Sequence, residues 1–264
     1  MVESIKELRI ICYKGKKGPF NPYSKYVACK ISIYITKLLL YTPITANQVT
    51  FIMLLLGISS FVLLFNGFFI AGLLLLHLTV VLDDVDGEIA RYRRNTSMLG
   101  IFIDTIHHNL VSYFMLFGFA YGIHTLYPNT LFIIFGFLSA VFAQSIVIPS
   151  IFDSIISMKI RGVTVPSISS NTKAESVIEF EGQTKEYKSP ILNIYHLLRN
   201  FWAFPSNLIM LTLLYIWEII NLNYSLLPPF STSLIFFIIY GSFVTFNQII
   251  SFVFHVKSNS IDSF

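Results

Sequence analysis

The stretch DDVDGEIAR occupies residues 83–91, and a second stretch, GIFIDTIHH, follows at residues 100–108. Both lie beside long apolar runs, in a chain that otherwise has few charged residues. An ionisable side chain inside a bilayer is costly, so it is interpreted by default as part of a functional site. Several such residues at helical spacing predict one site that is shared by two membrane helices.

The composition is that of an integral membrane protein rather than a soluble domain. Of the 264 residues, 55% are hydrophobic and 12% are charged, whereas a soluble domain carries about 25% charged residues. The 26 phenylalanines and the mean hydropathy of +0.69 favour an all-α bundle of spanning helices. The net charge of +4 is modest, and no nucleic-acid partner is expected. The two cysteines, Cys12 and Cys29, are expected to be reduced.

The N-terminal part predicts an element that lies on the membrane surface. Residues 1–24 are basic and rich in turn-forming residues, and they lack the apolar core of a cleaved signal peptide. In residues 25–41, Lys30 and Lys37 interrupt an apolar run and share one side of the helix. This pattern is typical of an amphipathic helix in the membrane interface. A short first span with snorkelling lysines is the alternative.

Six apolar segments are each long enough to cross a hydrocarbon core of about 30 Å. They comprise residues 49–65, 67–82, 98–124, 130–150, 201–221 and 232–255. Lysine and arginine are confined to alternate connections, which places this basic side, together with both termini, in the cytoplasm. The predicted fold is therefore a single domain over residues 1–264, with a six-helix bundle at residues 49–255. Its acidic site is expected to open to the cytoplasm.

A polar segment at residues 153–199 interrupts the predicted bundle on the cytoplasmic side. Within it, residues 177–180 and a turn at Gly182 are interpreted as a short hairpin. The segment either shapes the entrance of the site or is a solvated connector.

Helical spacing brings the polar residues of the two opening stretches onto two faces, since residues three and four apart share one side of a helix. One face carries Asp83, Asp86, Gly87 and Ala90, and the next helix carries Gly100, Asp104 and His108. Because the connection is short, the two helices are expected to pack antiparallel, so that Asp83, Asp86 and Asp104 converge. Hard oxygen ligands of this kind suit Mg²⁺ or Mn²⁺, and without an ion the carboxylates would repel one another.

Small residues and an arginine complete this predicted site. Gly87, Ala90 and Gly100 leave room for a ring or a phosphate near the backbone. Arg91 can bind phosphate oxygens two at a time. Together with a carboxylate-bound metal, these residues point to phosphoryl transfer on a diphosphate substrate. The alternatives are helix packing for the small residues and a snorkelling position for Arg91.

Three further polar residues have a different interpretation. Asp84 and Glu88 point away from the shared face and are expected to be solvated or to support the site indirectly. His77, which stands alone in a leucine run, is interpreted as a core histidine that is bonded to a neighbouring helix.

The two stretches resemble the signature of the CDP-alcohol phosphatidyltransferase family, which is Asp-x-x-Asp-Gly-x-x-Ala-Arg, eight residues, and then Gly-x-x-x-Asp-x-x-x-Asp. Identity and spacing match at Asp83, Asp86, Gly87, Ala90, Arg91, Gly100 and Asp104. Residues 45–50 are similar to the Thr-Pro-Asn-x-x-Thr start of the family's first span, with Ala46 in place of proline. Six spans behind an interfacial helix also resemble the family fold, so the resemblance covers most of the chain.

The resemblance implies that a phosphate-linked group passes from a CDP-activated donor to an alcohol acceptor, with release of CMP, in phospholipid or lipid-linked glycan synthesis. It also implies a homodimer among membrane lipids. By the same resemblance, Asp83, Asp86 and Asp104 hold a pair of divalent ions, Mg²⁺ or Mn²⁺. The cytidine diphosphate is expected to lie against Gly87, Ala90, Arg91, Asn47 and Ser97.

One position departs from the family's signature, because His108 stands where its last aspartate, the proposed general base and metal ligand, would be. A neutral imidazole can accept a proton or bind a metal. His108 is therefore the predicted catalytic base, beside Asp104, and also a predicted metal ligand. The adjacent His107 lies about 100° round the helix and is not equivalent.

Several readings of the function stay open. The donor is either CDP-diacylglycerol, with a small polar alcohol as acceptor, or a CDP-linked head group, with a lipid alcohol as acceptor. The alternatives to an enzyme are a non-catalytic membrane protein that binds a CDP-lipid or a nucleotide, and a transporter or channel.

Overall fold

The computed structural model describes residues 2–13, 22–143 and 204–257. These residues form eight α-helices, with no β-strand among them. The helices are α1 (Ile5–Tyr13), α2 (Cys29–Leu39), α3 (Ala46–Phe65), α4 (Phe69–Arg93), α5 (Met98–Leu126), α6 (Thr130–Ala143), α7 (Ser206–Tyr224) and α8 (Ser231–Lys257). The all-α prediction is confirmed for this part of the chain, whereas the polar segment 153–199 and its predicted hairpin lie outside it.

Two of the described helices are long and apolar enough to cross a membrane, by their length and composition. They are Ala46–Phe65 and Ser231–Ile249, and the apolar helix Thr130–Phe142 is shorter. The outer surface of α3 is itself apolar, since Leu55 is 48% exposed and Ile58 is 46% exposed. A helix on the surface of a soluble protein would present polar side chains there.

Helix α3 begins at a capping box. The Thr45 backbone N–H donates to Gln48 Oε1 at 2.9 Å, and the Gln48 backbone N–H donates to Thr45 Oγ1 at 3.3 Å. This reciprocal pair satisfies two backbone donors that the first turn of a helix leaves without partners. The start of α3 is thereby fixed next to the residues that contribute to the site.

Helix α4 extends through the acidic stretch. The apolar pattern predicts a span that ends at residue 82, but α4 continues to Arg93 and ends where Arg94 adopts a left-handed conformation with φ 50°. The whole of DDVDGEIAR is therefore helical, which puts its side chains at fixed angles around one axis.

Helix α3 packs between α4 and α5. It makes extensive contacts with both helices, whereas α4 and α5 contact each other only sparsely. The expectation that α4 and α5 pack directly against each other is therefore wrong over most of their length. Close approach of α5 to α3 depends on Gly122, because a Cβ there would lie 2.1 Å from the Leu64 carbonyl oxygen.

Helices α1 and α2 lie against α4. A π-helical turn, Ser24–Ala28, leads directly into α2. The buried side of α2 carries two hydroxyl-bearing residues, Ser32 and Thr36, beside Ile33. Other large apolar side chains are exposed; Ile31 is 47% exposed and Leu38 is 68% exposed. This distribution is the opposite of that on a soluble surface helix.

The interpretation of His77 as a core histidine is confirmed. Its Nε2 lies 2.9 Å from Thr212 Oγ1 on α7, and its Nδ1 lies 2.7 Å from the hydroxyl of Tyr23. The Thr212 hydroxyl donates to the Leu208 carbonyl at 2.9 Å, so it accepts from His77 Nε2–H, and Nδ1 accepts from Tyr23. Both ring nitrogens are satisfied, and the side chain joins α4 to α7 and to Tyr23, which precedes the π-helical turn.

Candidate metal and nucleotide site

Three of the predicted ligands come together where α4 and α5 meet. Nε2 of His108 lies 3.3 Å from Oδ1 of Asp83 and 3.3 Å from Oδ1 of Asp104. The three side chains each offer one ligand atom, and these atoms lie within 4.8 Å of one another. All three are about two-fifths exposed, with side-chain exposures of 37–39%. They form a small, accessible group that we call the Asp83–Asp104–His108 group.

The donor set of this group fits a divalent cation. Two carboxylate oxygens suit Mg²⁺ and Mn²⁺, and an imidazole nitrogen favours Mn²⁺ and later transition metals over Mg²⁺. The two carboxylates come from different helices, so a cation between them would offset their mutual repulsion. The residues present therefore fit a metal site. Its nitrogen ligand would come from His108, the position that departs from the family's signature.

Asp86 does not belong to this group of ligand atoms. Its Oδ2 accepts a hydrogen bond from Thr50 Oγ1 of α3 at 2.6 Å, and Thr50 is only 2% exposed. The predicted convergence of three carboxylates is therefore not observed. Asp83 and Asp104 meet at His108, and Asp86 is held by α3. The sequence signal for Thr50 was present, because it is the final threonine of residues 45–50.

Arg91 lies over Gly87 with one edge of its guanidinium unpartnered. Its Nε donates to the Cys12 carbonyl oxygen at 2.6 Å, and its guanidinium carbon lies 5.8 Å from the centre of the Tyr13 ring. A Cβ at position 87 would lie 2.9 Å from Arg91 Nη1, so a larger residue there would make the guanidinium shift. Nη2 is buried and has no hydrogen-bond partner among the described residues. Ala90, the other small residue of this helix, is half-buried.

Asn47 and Ser97, the further candidates for the nucleotide pocket, are in contact. The Ser97 hydroxyl donates to Asn47 Oδ1 at 2.8 Å and accepts from the Gly100 backbone N–H at 3.0 Å, which caps α5. A Cβ on Gly100 would lie 2.6 Å from Asn47 Oδ1. Gly100 therefore permits the contact between α3 and α5, and the packing interpretation holds for this residue.

Of the two alternatives for Asp84 and Glu88, the solvated one is wrong, and indirect support of the site stays a prediction. Asp84 is 8% exposed and accepts from the Cys29 thiol at 3.3 Å. Glu88 is fully buried and accepts hydrogen bonds from three hydroxyl groups. They belong to Tyr13 at 2.5 Å, Ser32 at 2.6 Å and Thr36 at 2.6 Å. A helical wheel of α4 could not reveal this, because the covering helices α1 and α2 approach the side that looks polar.

His107 differs from His108, as its angle around α5 predicts. It is 1% exposed, and its Nδ1 is buried without a hydrogen-bond partner among the described residues. A Cβ at Gly57 of α3 would lie 3.2 Å from that nitrogen. His107 thus belongs to the contact between α3 and α5, away from the carboxylates.

Both cysteines are free, and Cys12 is not a candidate nucleophile. Burial, with a smaller contribution from the nearby Glu88 carboxylate, raises the pKa of the Cys12 thiol to about 11. Burial and the hydrogen bond to Glu88 likewise raise the pKa of Tyr13. Both groups therefore stay protonated near neutral pH, and the Tyr13 hydroxyl acts as a donor.

Comparison with known proteins agrees with this geometry. Residues 43–173, about half of the chain, match the family described as CDP-alcohol phosphatidyltransferase. A stretch of 106 residues, 39% of the chain, is 36% identical to the "Bifunctional IPC transferase and DIPP synthase" of Thermococcus kodakarensis. That stretch covers 24% of the relative, so the chain matches about a quarter of its length. The matched region contains the Asp83–Asp104–His108 group, Arg91 and Gly87, and the chain therefore belongs to the CDP-alcohol phosphatidyltransferase family, a family of transferases.

Proposed function

We propose that the protein transfers a phosphate-linked group from a CDP-activated donor to an alcohol acceptor, releases CMP and depends on a divalent metal. The observation that carries this proposal is the meeting of ligand atoms from Asp83, Asp104 and His108, at positions that align with the family signature. The transfer takes place in phospholipid or lipid-linked glycan synthesis.

The residues divide the chemistry between them. Asp83, Asp104 and His108 would hold a divalent ion, Mg²⁺ or Mn²⁺, which offsets negative charge on the diphosphate as CMP departs. Asp86 would hold the second ion of the pair that the family resemblance implies. Arg91 binds phosphate oxygens through its unpartnered Nη2 edge. The acceptor hydroxyl attacks the phosphorus that carries the transferred group, the bond to the CMP oxygen breaks, and a protein base takes the hydroxyl proton.

The nucleotide lies along α4 and the start of α5. Gly87 leaves room for the guanidinium of Arg91, Ala90 is the small residue beside it, and Asn47 and Ser97 form the polar wall on the α3 side. The hydrogen bond between Asn47 and Ser97 supports this placement, because it fixes two polar side chains against each other at the starts of α3 and α5.

His108 has two proposed tasks that exclude each other at one nitrogen, since a lone pair that binds an ion cannot accept a proton. The position of Nε2 between two carboxylates favours the ligand role, while the base role stays a prediction. The test is His108→Ala against His108→Asp, with Mn²⁺ varied. If His108 is a metal ligand, its replacement by alanine raises the Mn²⁺ concentration that is required for activity, and its replacement by aspartate restores the wild-type requirement. Full CMP release by His108→Ala at saturating Mn²⁺ would exclude the base role.

The protein is proposed to be a multi-pass membrane protein with six spans, a cytoplasmic site and an interfacial α2. The two long apolar helices, the exposed apolar side chains of α2 and α3, and the alternation of basic connections support this arrangement. A homodimer is part of the same proposal, on the family resemblance.

The donor class is tested by incubating the purified protein with Mg²⁺ or Mn²⁺ and a panel of CDP compounds. CDP-diacylglycerol with polar alcohols tests one class, and CDP-choline or CDP-ethanolamine with a lipid alcohol tests the other. CMP release in one arm identifies the donor class. The second candidate function, a CDP-lipid-binding protein without turnover, is motivated by the replacement of the last aspartate by His108. It predicts that CDP ligands bind and that no CMP is released in any arm.

A further inference from the structure

The side of α4 that faces away from the metal ligands contains a second polar cluster, built around a carboxylate. Glu88 is fully buried, and a buried carboxylate is costly unless hydrogen bonds compensate for its lost hydration. Its Oε1 accepts from Tyr13 and Ser32, and its Oε2 accepts from Thr36. Glu88 therefore fixes both N-terminal helices on α4.

The C-terminal end of α1, which carries Tyr13, also contacts Arg91. Arg91 follows Glu88 by nearly one turn of α4. Cys12 and Tyr13 are the last two residues of α1, where helix carbonyls lack intrahelical partners and carry partial negative charge. Arg91 Nε donates to one of these carbonyls, that of Cys12, at 2.6 Å. The guanidinium also faces the Tyr13 ring at 5.8 Å, within the range of a cation–π contact.

Tyr13 is thus shared between the two residues. Its hydroxyl binds Glu88, while its ring faces Arg91. These contacts use Nε and one face of the guanidinium, and Gly87 lies against Nη1. Nη2 is the nitrogen that is left buried without a partner in the described part of the chain. A buried, unsatisfied donor on a charged group costs free energy until an acceptor meets it.

We propose that α1 is part of the nucleotide site, with Tyr13 and Glu88 as positioning residues that hold Arg91 ready for the diphosphate. This inference rests on the proposed function, in which Arg91 binds the phosphates. The Glu88 anchor sets Tyr13, and Tyr13 together with the Cys12 carbonyl sets the guanidinium plane. The fixed plane then points Nη2 at the phosphate oxygens, so the ordering cost is met before the ligand binds.

A double-mutant cycle on CDP binding tests this coupling. The full chain in detergent is titrated with CDP by calorimetry, in the presence of Mg²⁺, as wild type, Tyr13→Leu, Arg91→Ala and the double variant. We expect Tyr13→Leu to weaken CDP binding roughly tenfold, which lies between the values for exposed and desolvated cation–π contacts. In the Arg91→Ala background the same change is expected to weaken binding less than about twofold, because contacting residues are not additive.

The matched control is Tyr92→Phe. The Tyr92 hydroxyl donates to Glu3 Oε2 at 2.5 Å, so this variant removes a different contact between the N-terminal segment and α4 without touching Arg91. Its CDP affinity is expected to stay within about twofold of wild type. If Tyr13→Leu does not fold, Tyr13→Phe serves in its place; it keeps the ring, loses the anchor to Glu88 and is expected to lose roughly threefold.

The outcomes are distinguishable. Equal losses of affinity in the two Arg91 backgrounds, or no loss at all from the Tyr13 change, would overturn the positioning role while leaving the proposed function intact. A wild-type protein that does not bind CDP would overturn the proposed function and this inference with it. A loss that is seen only when Arg91 is present supports the inference.

Discussion

Both sides of α4 carry carboxylate side chains, but the surroundings of these carboxylates differ. On one side, Asp83 is about two-fifths exposed and meets Asp104 and His108. On the other side, Glu88 is fully buried and saturated by three hydroxyl donors. The first arrangement leaves negative charge that a cation can offset, and the second leaves no need for one. The partners of a carboxylate, rather than its place in a motif, determine whether it serves chemistry or architecture.

The largest effect is expected from Asp83→Asn. It removes one charge from the Asp83–Asp104–His108 group, so CMP release should fall by about 10²–10³-fold, as for loss of one charge-stabilising group at a reaction centre. The melting temperature should stay the same or rise slightly, because repulsion between carboxylates is removed. Initial rates of CMP release and a thermal scan in detergent check both parts. A variant that keeps its activity would show that the exposed side of α4 does not hold the metal.

Glu88→Ala is expected to act on stability. It leaves the buried hydroxyl groups of Ser32 and Thr36 and the half-buried hydroxyl of Tyr13 without this acceptor. An unsatisfied buried group costs about 1–3 kcal/mol, so we expect a total loss of about 3 kcal/mol. Chemical denaturation in detergent measures it. Glu88→Gln keeps a carbonyl acceptor and should lose clearly less. Equal stability of Glu88→Ala and wild type would contradict the assignment of this side to architecture.

Thr50→Val tests the carboxylate that lies between these two extremes. Asp86 keeps its position through the hydrogen bond from Thr50, and the loss of a bond to a charged group costs about 1.5 kcal/mol. We expect CMP release to fall about tenfold and the fold to remain intact. Thr45→Val, at the capping box, is the control for a general effect on α3, since it should lower stability without a specific loss of turnover.

The smallest effect concerns the thiol beside Glu88. Because burial raises the pKa of Cys12 to about 11, its thiolate fraction at pH 8 is below that of an ordinary thiol, and it grows as the pH rises towards that value. A Cys29→Ser variant, which leaves Cys12 alone, should therefore react with maleimide at least about tenfold more slowly when folded than in denaturant. Equal rates in the two states would show that α1 does not cover this side of α4.

The helical period was sufficient to predict that Asp83, Asp104 and His108 come together. Asp83, Asp104 and His108 follow three- and four-residue steps, and a period fixes which side chains share a face. The interfacial position of α2 was suggested in the same way by Lys30 and Lys37. Its exposed apolar residues agree with that prediction.

The partners of those residues could not be predicted, because they depend on tertiary contacts between distant segments. Thr50 and Asp86 are 36 residues apart, and a helical wheel of either helix does not predict their hydrogen bond. The short connection between α4 and α5 predicted that these helices pack against each other, but α3 packs between them. The burial of Glu88 could not be predicted, because no local pattern reveals how α1 and α2 dock on α4. These two helices supply its hydrogen-bond donors, which are Tyr13, Ser32 and Thr36.

Binding of Mn²⁺, followed by electron paramagnetic resonance, tests the difference between the two sides of α4 most directly. Wild type, Asp83→Asn and Glu88→Gln are each titrated with Mn²⁺ without added nucleotide. We expect Glu88→Gln to bind like wild type and Asp83→Asn to bind at least about tenfold more weakly, because one hard anionic ligand is lost. Unchanged Mn²⁺ affinity in Asp83→Asn, or weakening of the same size in Glu88→Gln, would contradict a metal site at the Asp83–Asp104–His108 group.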